Sequence, residues 1–354
     1  MSTSTAKPTQ NAGATASPGS AGALSASKKF LLRGLLFSMS LAVCLGGAEL
    51  LLRVKNSSMK NYDIEMWRYA RTLKQRSSDP ILGHEHVRSS SAILQSVEIR
   101  TNELGMRGGP IPPPSGERRI LFLGSSVTLG WGVAEEDTTT GQLQKMFAIK
   151  GENAVVFNGG IGNYNACRYV ELFLTQLAES KPTDIVVHAF VRDAEILEAG
   201  GGNWLLQNSQ LAVVASAAIQ RQRASIASGT LADHYRKYYE PNSPGLLAAK
   251  DALRKLGEYA RKHNIRLYMA MTPDIHNLQN YPLGFVHEAM QAIAKELGYR
   301  YLDLLPAFAD IKAEDVWAMP GDPHPNSLGH RKMAEMIYPF LALEQNEKAA
   351  NAAP

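Results

Sequence analysis

Five short apolar runs, spaced by segments of helical character, constrain this chain more than any other feature. They are "RILFLG" (119–124), "NAVVFNGG" (153–160), "DIVVHAFV" (184–191), "IRLYMAMTP" (265–273) and "YRYLDLL" (299–305). Between them lie "TTGQLQKMFAIKG", "CRYVELFLTQLAES", "PGLLAAKDALRKLGEYARKHN" and "GFVHEAMQAIAKELG". In the third of these, Leu246, Leu247, Ala249, Leu253, Leu256 and Ala260 trace one helical face, and the fourth closes on a C-cap glycine. Strands alternating with helices pair in parallel through right-handed crossovers, which predicts an α/β fold: a three-layer α/β/α sandwich around a parallel sheet of about five strands. Ligands in such sheets bind beyond the carboxyl ends of the strands. The loops there, "GSS", "NGG" and "VRDAE", therefore carry the interest, together with the late stretch "PGDPHPNSLGHRKMAEMIYPFL". Residues 195–243 break the rhythm and read as a helical cap insertion, either walling a pocket over the strand ends or packing on the edge.

Length and composition agree with one large domain plus flanking segments. The chain has 354 residues, 45% apolar and 20% charged, with a net charge of +4. Its Lys and Arg are scattered rather than gathered in a stripe, so nucleic acid is not an expected partner. Two cysteines, Cys44 and Cys167, build neither a disulfide framework nor a thiolate metal site. Residues 1–27, without an aromatic side chain, read as a disordered tail. Between Arg33 and Arg53 runs "GLLFSMSLAVCLGGAELLL", charged only at Glu49. As a helix this stretch, residues 34–52, spans roughly 28 Å, close to the ~30 Å hydrocarbon core of a bilayer. A membrane is thus an expected partner through a segment at 28–53, either an uncleaved anchor or a signal peptide cut after Gly46 and Ala48. Lys28, Lys29 and Arg33 precede the span while Arg53, Lys55 and Lys60 follow it, so charge alone leaves its orientation open. Residues 54–99 suit a stalk or a lead-in to a domain at 100–345, and 346–354 form a second tail.

A serine after a strand is weak evidence of chemistry, because Gly and Ser are common in turns. Ser126 gains weight from its company. A hydroxyl nucleophile needs an imidazole to take its proton, a carboxylate to orient that imidazole, and donors where the oxyanion forms. Asp322 and His324, two apart in a Pro-rich loop, supply base and orienter from one turn, and the glycines after the second strand supply a backbone N–H.

At these residues the chain resembles the SGNH, or GDSL-type, hydrolase family, and in particular its membrane-anchored bacterial branch. "TNELGMRG" (101–108) is similar to that branch's N-x-x-G-x-R-G segment, and "RRILFLGSSVTLGWGVAEEDT" to its R-I-x-x-x-G-D-S-x-T-x-G-x-G-V stretch. "NGGIGNYN" resembles the second block and "DPHPNSLGHRKMAE" the final D-x-H-P-N-x-x-G-H motif. The resemblance covers roughly residues 100–345 and implies a flavodoxin-like SGNH fold. It places the nucleophile on Ser126, the acid on Asp322, the base on His324 and oxyanion donors on the backbone of Ser126 and Gly160. Ser125 stands where the family has Asp. Arg192 stands where the third block, Gly-x-Asn-Asp, has the oxyanion Asn; it either replaces that amide as a cationic donor or pairs with Asp193 or Glu195. Asn163 and Asn165 are two further residues of the loop within reach of the site.

The resemblance implies an extracytoplasmic, membrane-anchored serine esterase without cofactor or metal. Its substrate would be an O-acyl, above all O-acetyl, carbohydrate or envelope polymer, or a lipid ester. Two alternatives remain: acyl transfer to a carbohydrate hydroxyl on the same fold, and carbohydrate binding or assembly without catalysis. His330 is expected to cap or pack the last helix, and His188 to sit in the core. Trp204, Tyr235, Tyr238 and Tyr239 are expected to pack in the cap, with sugar stacking as the alternative.

Overall fold

The computed structural model describes residues 3, 25–197, 203–227 and 230–352. The chain divides into two compact units, 1–51 and 52–354. Helix α1 (Ala26–Lys55) runs through the boundary and buries none of its residues. Its apolar stretch has a mean hydropathy of 2.0, and among the described residues it is the one helix long and apolar enough to cross a membrane, a property that a signal sequence shares. The tail expected over 1–27 lies almost wholly outside the described residues, and of that over 346–354 only the helical backbone to Ala352 is described.

In the second unit, five parallel strands form the sheet: β1 (Arg118–Gly124), β2 (Ala154–Gly160), β3 (Asp184–Phe190), β4 (Arg266–Thr272) and β5 (Arg300–Asp303), in the order β2-β1-β3-β4-β5. Helices α5 (Ala166–Thr175), α9 (Pro244–Lys262) and α10 (Gly284–Leu297) cover one face, where Leu121, Leu123, Val187 and Met269 meet Tyr169, Leu253 and Met290. Helices α4 (Thr139–Ile149) and α11 (Ser327–Ala352) cover the other, where Ile120, Phe122 and Val186 meet Leu143, Phe147 and Met333. Because side chains alternate along a strand, strands covered on both faces must be apolar at every position, which is why these runs read as continuous. The expected three-layer sandwich with a five-stranded parallel sheet is the fold observed. Gly124 aligns with Gly160 on one side and His188 on the other, so the loops after β1, β2 and β3 emerge side by side.

The lead-in before the sheet is itself folded. It holds α2 (Tyr62–Thr72), a short hairpin of Lys74–Arg76 with His84–His86, and a second of Ser91–Leu94 with Val97–Arg100. Tyr69, Leu73, Leu94 and Ile99 pack there with Leu129 and Trp131 from the turn after β1. Insertion 195–243 supplies α6 (Trp204–Asn208), α7 (Gln210–Ala227) and α8 (Leu231–Arg236). Helices α6 and α7 lie against α2: the Trp67 indole donates to the Leu206 carbonyl at 2.8 Å, Asn56 to Gln210 at 2.9 Å, and Arg221 pairs with Asp63. Tyr235 and Tyr239 are buried in the core, Tyr239 donating to the Val191 carbonyl at 3.0 Å, whereas Trp204 is exposed.

Candidate active site

Strand β1 ends in a turn that only glycine permits. A Cβ on Gly124 would lie 2.1 Å from Thr128 Oγ1 and 2.8 Å from the His188 carbonyl. Ser125, in extended backbone, then starts the single helical turn α3 (Ser126–Leu129), which ends on Gly130 at φ 78°. Ser126 thus occupies the first helical position, where the backbone N–H has no intrahelical acceptor, and it has none elsewhere among the described residues. The far end of the turn is clamped. Buried Arg107, from "TNELGMRG", donates at 2.7 Å to each of the carbonyls of Leu129, Gly130 and Val133. Asn158 donates to the Thr128 carbonyl at 2.7 Å. Burial pulls the Arg107 guanidinium down to about 10.

A second antiparallel hairpin, β6 (Trp317–Met319) and β7 (Asp322–Pro325), brings the acid and the imidazole to this turn. Residues two apart on a strand face the same side, and His324 Nδ1 lies 2.5 Å from Asp322 Oδ1. His324 Nε2 lies 2.8 Å from Ser126 Oγ. Asp322 is buried, and its other oxygen accepts from Gln95 Nε2 at 3.0 Å. Gln95 reaches it from a two-residue turn, with Ser96, in which both residues have positive φ. Since Asp322 remains an acceptor at both oxygens, Nδ1 carries the proton and Nε2 is left to accept from the serine. Tyr62, at the start of α2, stacks on the imidazole with centroids 5.9 Å apart. Burial, then the charge of Asp322, pushes its hydroxyl up to about 12. The neighbouring Ser125 hydroxyl is buried with no hydrogen-bond partner among the described residues, so the two serines are not equivalent.

Two expected oxyanion donors are otherwise engaged. The Gly160 N–H donates to Asn158 Oδ1 at 3.0 Å. What its lack of a side chain provides is contact: a Cβ there would lie 2.2 Å from the Leu129 nitrogen. Arg192 is held by Glu195, with Nε and Nη2 at 2.9 and 2.8 Å from Oε2, which is the second of the two arrangements open to it. Asn165 caps α5, accepting from the Arg168 N–H, and donates to the Glu195 carbonyl. Asn163 differs from all of these. It has φ 66°, unusual outside glycine though tolerated by Asn, and its N–H has no acceptor among the described residues. His330 packs against α4, accepting from the N–H of Thr139 at 3.2 Å, and His188 lies 3.2 Å from the Thr128 hydroxyl. Burial pulls their imidazoles down, to about 3 and about 4.

A cavity of about 650 Å³ lies between α2, the first hairpin and α6–α7. Its walls include Trp67, Arg71, Gln75, Asn163, Asn208 and Gln220. Composition gave no hint of it, because its walls come from segments about 150 residues apart.

The profile of the GDSL-like Lipase/Acylhydrolase family matches residues 122–332, more than half of the chain. No curated protein matches. Among solved structures, a G-D-S-L family protein from Desulfitobacterium hafniense is similar at 16% identity and TM-score 0.41, covering 63% of this chain and 99% of its own. An acetyl xylan esterase is similar at 17% identity and TM-score 0.40, covering 63% and 99%. A carbohydrate acetylesterase family member from Sinorhizobium meliloti is similar at 13% identity and TM-score 0.39, covering 64% and 98%.

Proposed function

The chain belongs to the GDSL-like lipase/acylhydrolase family, and from that premise we propose a membrane-anchored serine esterase with Ser126 as nucleophile, removing O-acyl, above all O-acetyl, groups from a carbohydrate, an envelope polymer or a lipid ester. The observation that carries the reading is the unbroken run Ser126 Oγ, His324, Asp322 at 2.8 and 2.5 Å. In it, His324 Nε2 takes the hydroxyl proton as Ser126 attacks the ester carbon, and the imidazolium formed faces the Asp322 carboxylate. The same proton then passes to the leaving alkoxide, and a water activated by His324 releases the acid and restores the serine. The negative charge on the carbonyl oxygen meets the N–H of Ser126 at the head of α3 and the N–H of Asn163. Gly160 and Arg192 have no part in this, being bonded to Asn158 and Glu195.

Helix α1 supports anchoring, and the extracytoplasmic side for the catalytic unit is part of the same proposal. Serine-directed fluorophosphonate labelling of the whole chain tests the nucleophile. Labelling should vanish in Ser126→Ala and persist in Ser125→Ala; the reverse would refute the assignment. Acetate release from acetylated glycans, with and without a sugar acceptor, tests the substrate class and separates hydrolysis from acyl transfer.

A further inference from the structure

The backbone from Gly162 to Asn163 is held almost group by group, and three of the four side chains that hold it, Tyr69, Lys74 and His84, come from outside the residues that match the family. The Gly162 N–H donates to the Tyr69 hydroxyl at 3.0 Å, and that hydroxyl lies 2.6 Å from His86 Nε2. The Gly162 carbonyl accepts twice, from Lys74 Nζ at 2.6 Å and from His84 Nε2 at 3.0 Å. The Asn163 carbonyl accepts from Arg168 at 3.2 Å. The Asn163 N–H is left over. In a trans peptide the carbonyl and the N–H point in opposite directions. Two donors drawing the Gly162 oxygen toward the first hairpin therefore turn the Asn163 N–H away from that hairpin. The position of Lys74 is fixed further by its ammonium lying 4.4 Å from the centre of the Tyr69 ring.

We propose that Lys74 and His84 are positioning residues for catalysis: gripping the Gly162 carbonyl, they orient and polarise one peptide so that the Asn163 N–H binds the oxyanion. This rests on the esterase reading above. A carbonyl that accepts a charged donor withdraws electron density from its own amide nitrogen, so the N–H on the other side becomes a stronger donor. The arrangement offers a physical answer to the loss of an amide at position 192. A cation acts at one remove, through a peptide, where the family has a side chain pointing at the substrate.

Burial, with Arg168 as a second cause, pulls the Lys74 ammonium from 10.5 to about 7, so its charge changes within the working range of pH. Among the groups packed around it, burial pulls His84 and His86 down to about 3 and about 4, pushes the Tyr69 and Tyr164 hydroxyls upward and pulls the Arg168 guanidinium down. Arg71, Arg76 and Asp63 line the adjoining cavity.

The test is steady-state turnover of p-nitrophenyl acetate by the full chain in detergent, for wild type, Lys74→Met, Lys74→Arg and His84→Ala, alongside the rate of fluorophosphonate labelling. Removing a whole oxyanion donor costs on the order of 10²–10³ in rate, so losing its polariser should lower kcat about tenfold in Lys74→Met with KM changed less than threefold. Arginine should restore kcat to within a few-fold. The ratio of wild-type to Lys74→Arg kcat cancels the titration of His324; it should fall two- to fivefold as pH rises through about 7, because arginine keeps its charge and lysine does not. A flat ratio, or Lys74→Met and His84→Ala both within twofold of wild type, overturns the inference. If Lys74→Met fails to fold, the arginine ratio alone decides. Absence of labelling in folded wild type would instead overturn the esterase reading itself.

Discussion

The buried ammonium of Lys74 should make the protein less stable in the very place where it serves the reaction. Its pKa drops from 10.5 to about 7, first through burial and then through Arg168. Between those two pH values the unfolded chain holds a proton that the folded chain has released. Stability therefore rises with pH across that window, and the full penalty of the charge is felt below pH 7. At ~1.4 kcal/mol for each tenfold change in proton affinity, the interval amounts to about 5 kcal/mol. Lys74 as a residue is only half-buried and faces a cavity that water can enter, so about 2–4 kcal/mol is the share to expect in practice. Lys74→Met keeps the stem and removes the charge. In denaturant unfolding of the whole chain in detergent, followed by tryptophan fluorescence, the variant should exceed wild type by that amount at pH 6. At pH 10 the gap should shrink to less than about 1 kcal/mol. A gap that stays constant from pH 6 to 10 would refute the desolvation argument. A variant less stable than wild type at pH 6 would mean that the hydrogen bond to Gly162 outweighs burial. The combination expected, a more stable and slower enzyme, is the one that a strained functional group produces.

Asp322→Asn should leave the fold and KM nearly unchanged and lower kcat by ~10³–10⁴, because an amide stabilises neither the tautomer nor the imidazolium that His324 needs. Labelling at an undiminished rate would show that Asp322 is not the orienter. Gly162→Ala puts a Cβ 2.6 Å from the Tyr69 ring, which sits in the core and cannot retreat. The loop must shift instead, so the labelling rate should drop at least tenfold while unfolding free energy falls by about 1–3 kcal/mol; a loss of stability without a loss of labelling would separate this loop from the oxyanion.

The sheet was legible because it obeys a local rule. A strand covered on both faces is apolar throughout, and the expected runs at 119–124, 153–160 and 184–191 differ from β1, β2 and β3 by one residue at each end or less. The helices were legible for the same reason: Leu246, Leu253 and Leu256 lie on the buried side of α9, and Gly298 closes α10 in the left-handed region. The pairing of Asp322 with His324 follows from their spacing on one strand. What escaped is held by contacts distant in sequence. The segment at 54–99, which suits a stalk or a lead-in by composition, buries Glu65, Tyr69 and His86 through hydrogen bonds to one another and to residues far along the chain. Such polar burial leaves no period to detect. Lys74 and His84 stand 88 and 78 residues from the carbonyl they grip, and nothing around them sets them apart from surface residues. Gly160 is ambiguous in the sequence for a related reason. A glycine at a strand end reads equally as an exposed donor or as a point of close packing, and only the neighbouring turn decides.

Gln95, Arg107, Lys74, His84 and Tyr62 all precede residue 122, yet each touches the turn, the imidazole, the acid or the loop on which the reading above depends. The smallest piece able to work is therefore larger than the piece that can be recognised. A chain trimmed to the matched residues would keep Ser126, His324 and Asp322 while shedding their supports, so minimal versions designed from the recognisable boundary should begin no later than α2. Transplanting the lead-in together with the sheet, rather than the sheet alone, is the rule this implies for building chimeras from related chains.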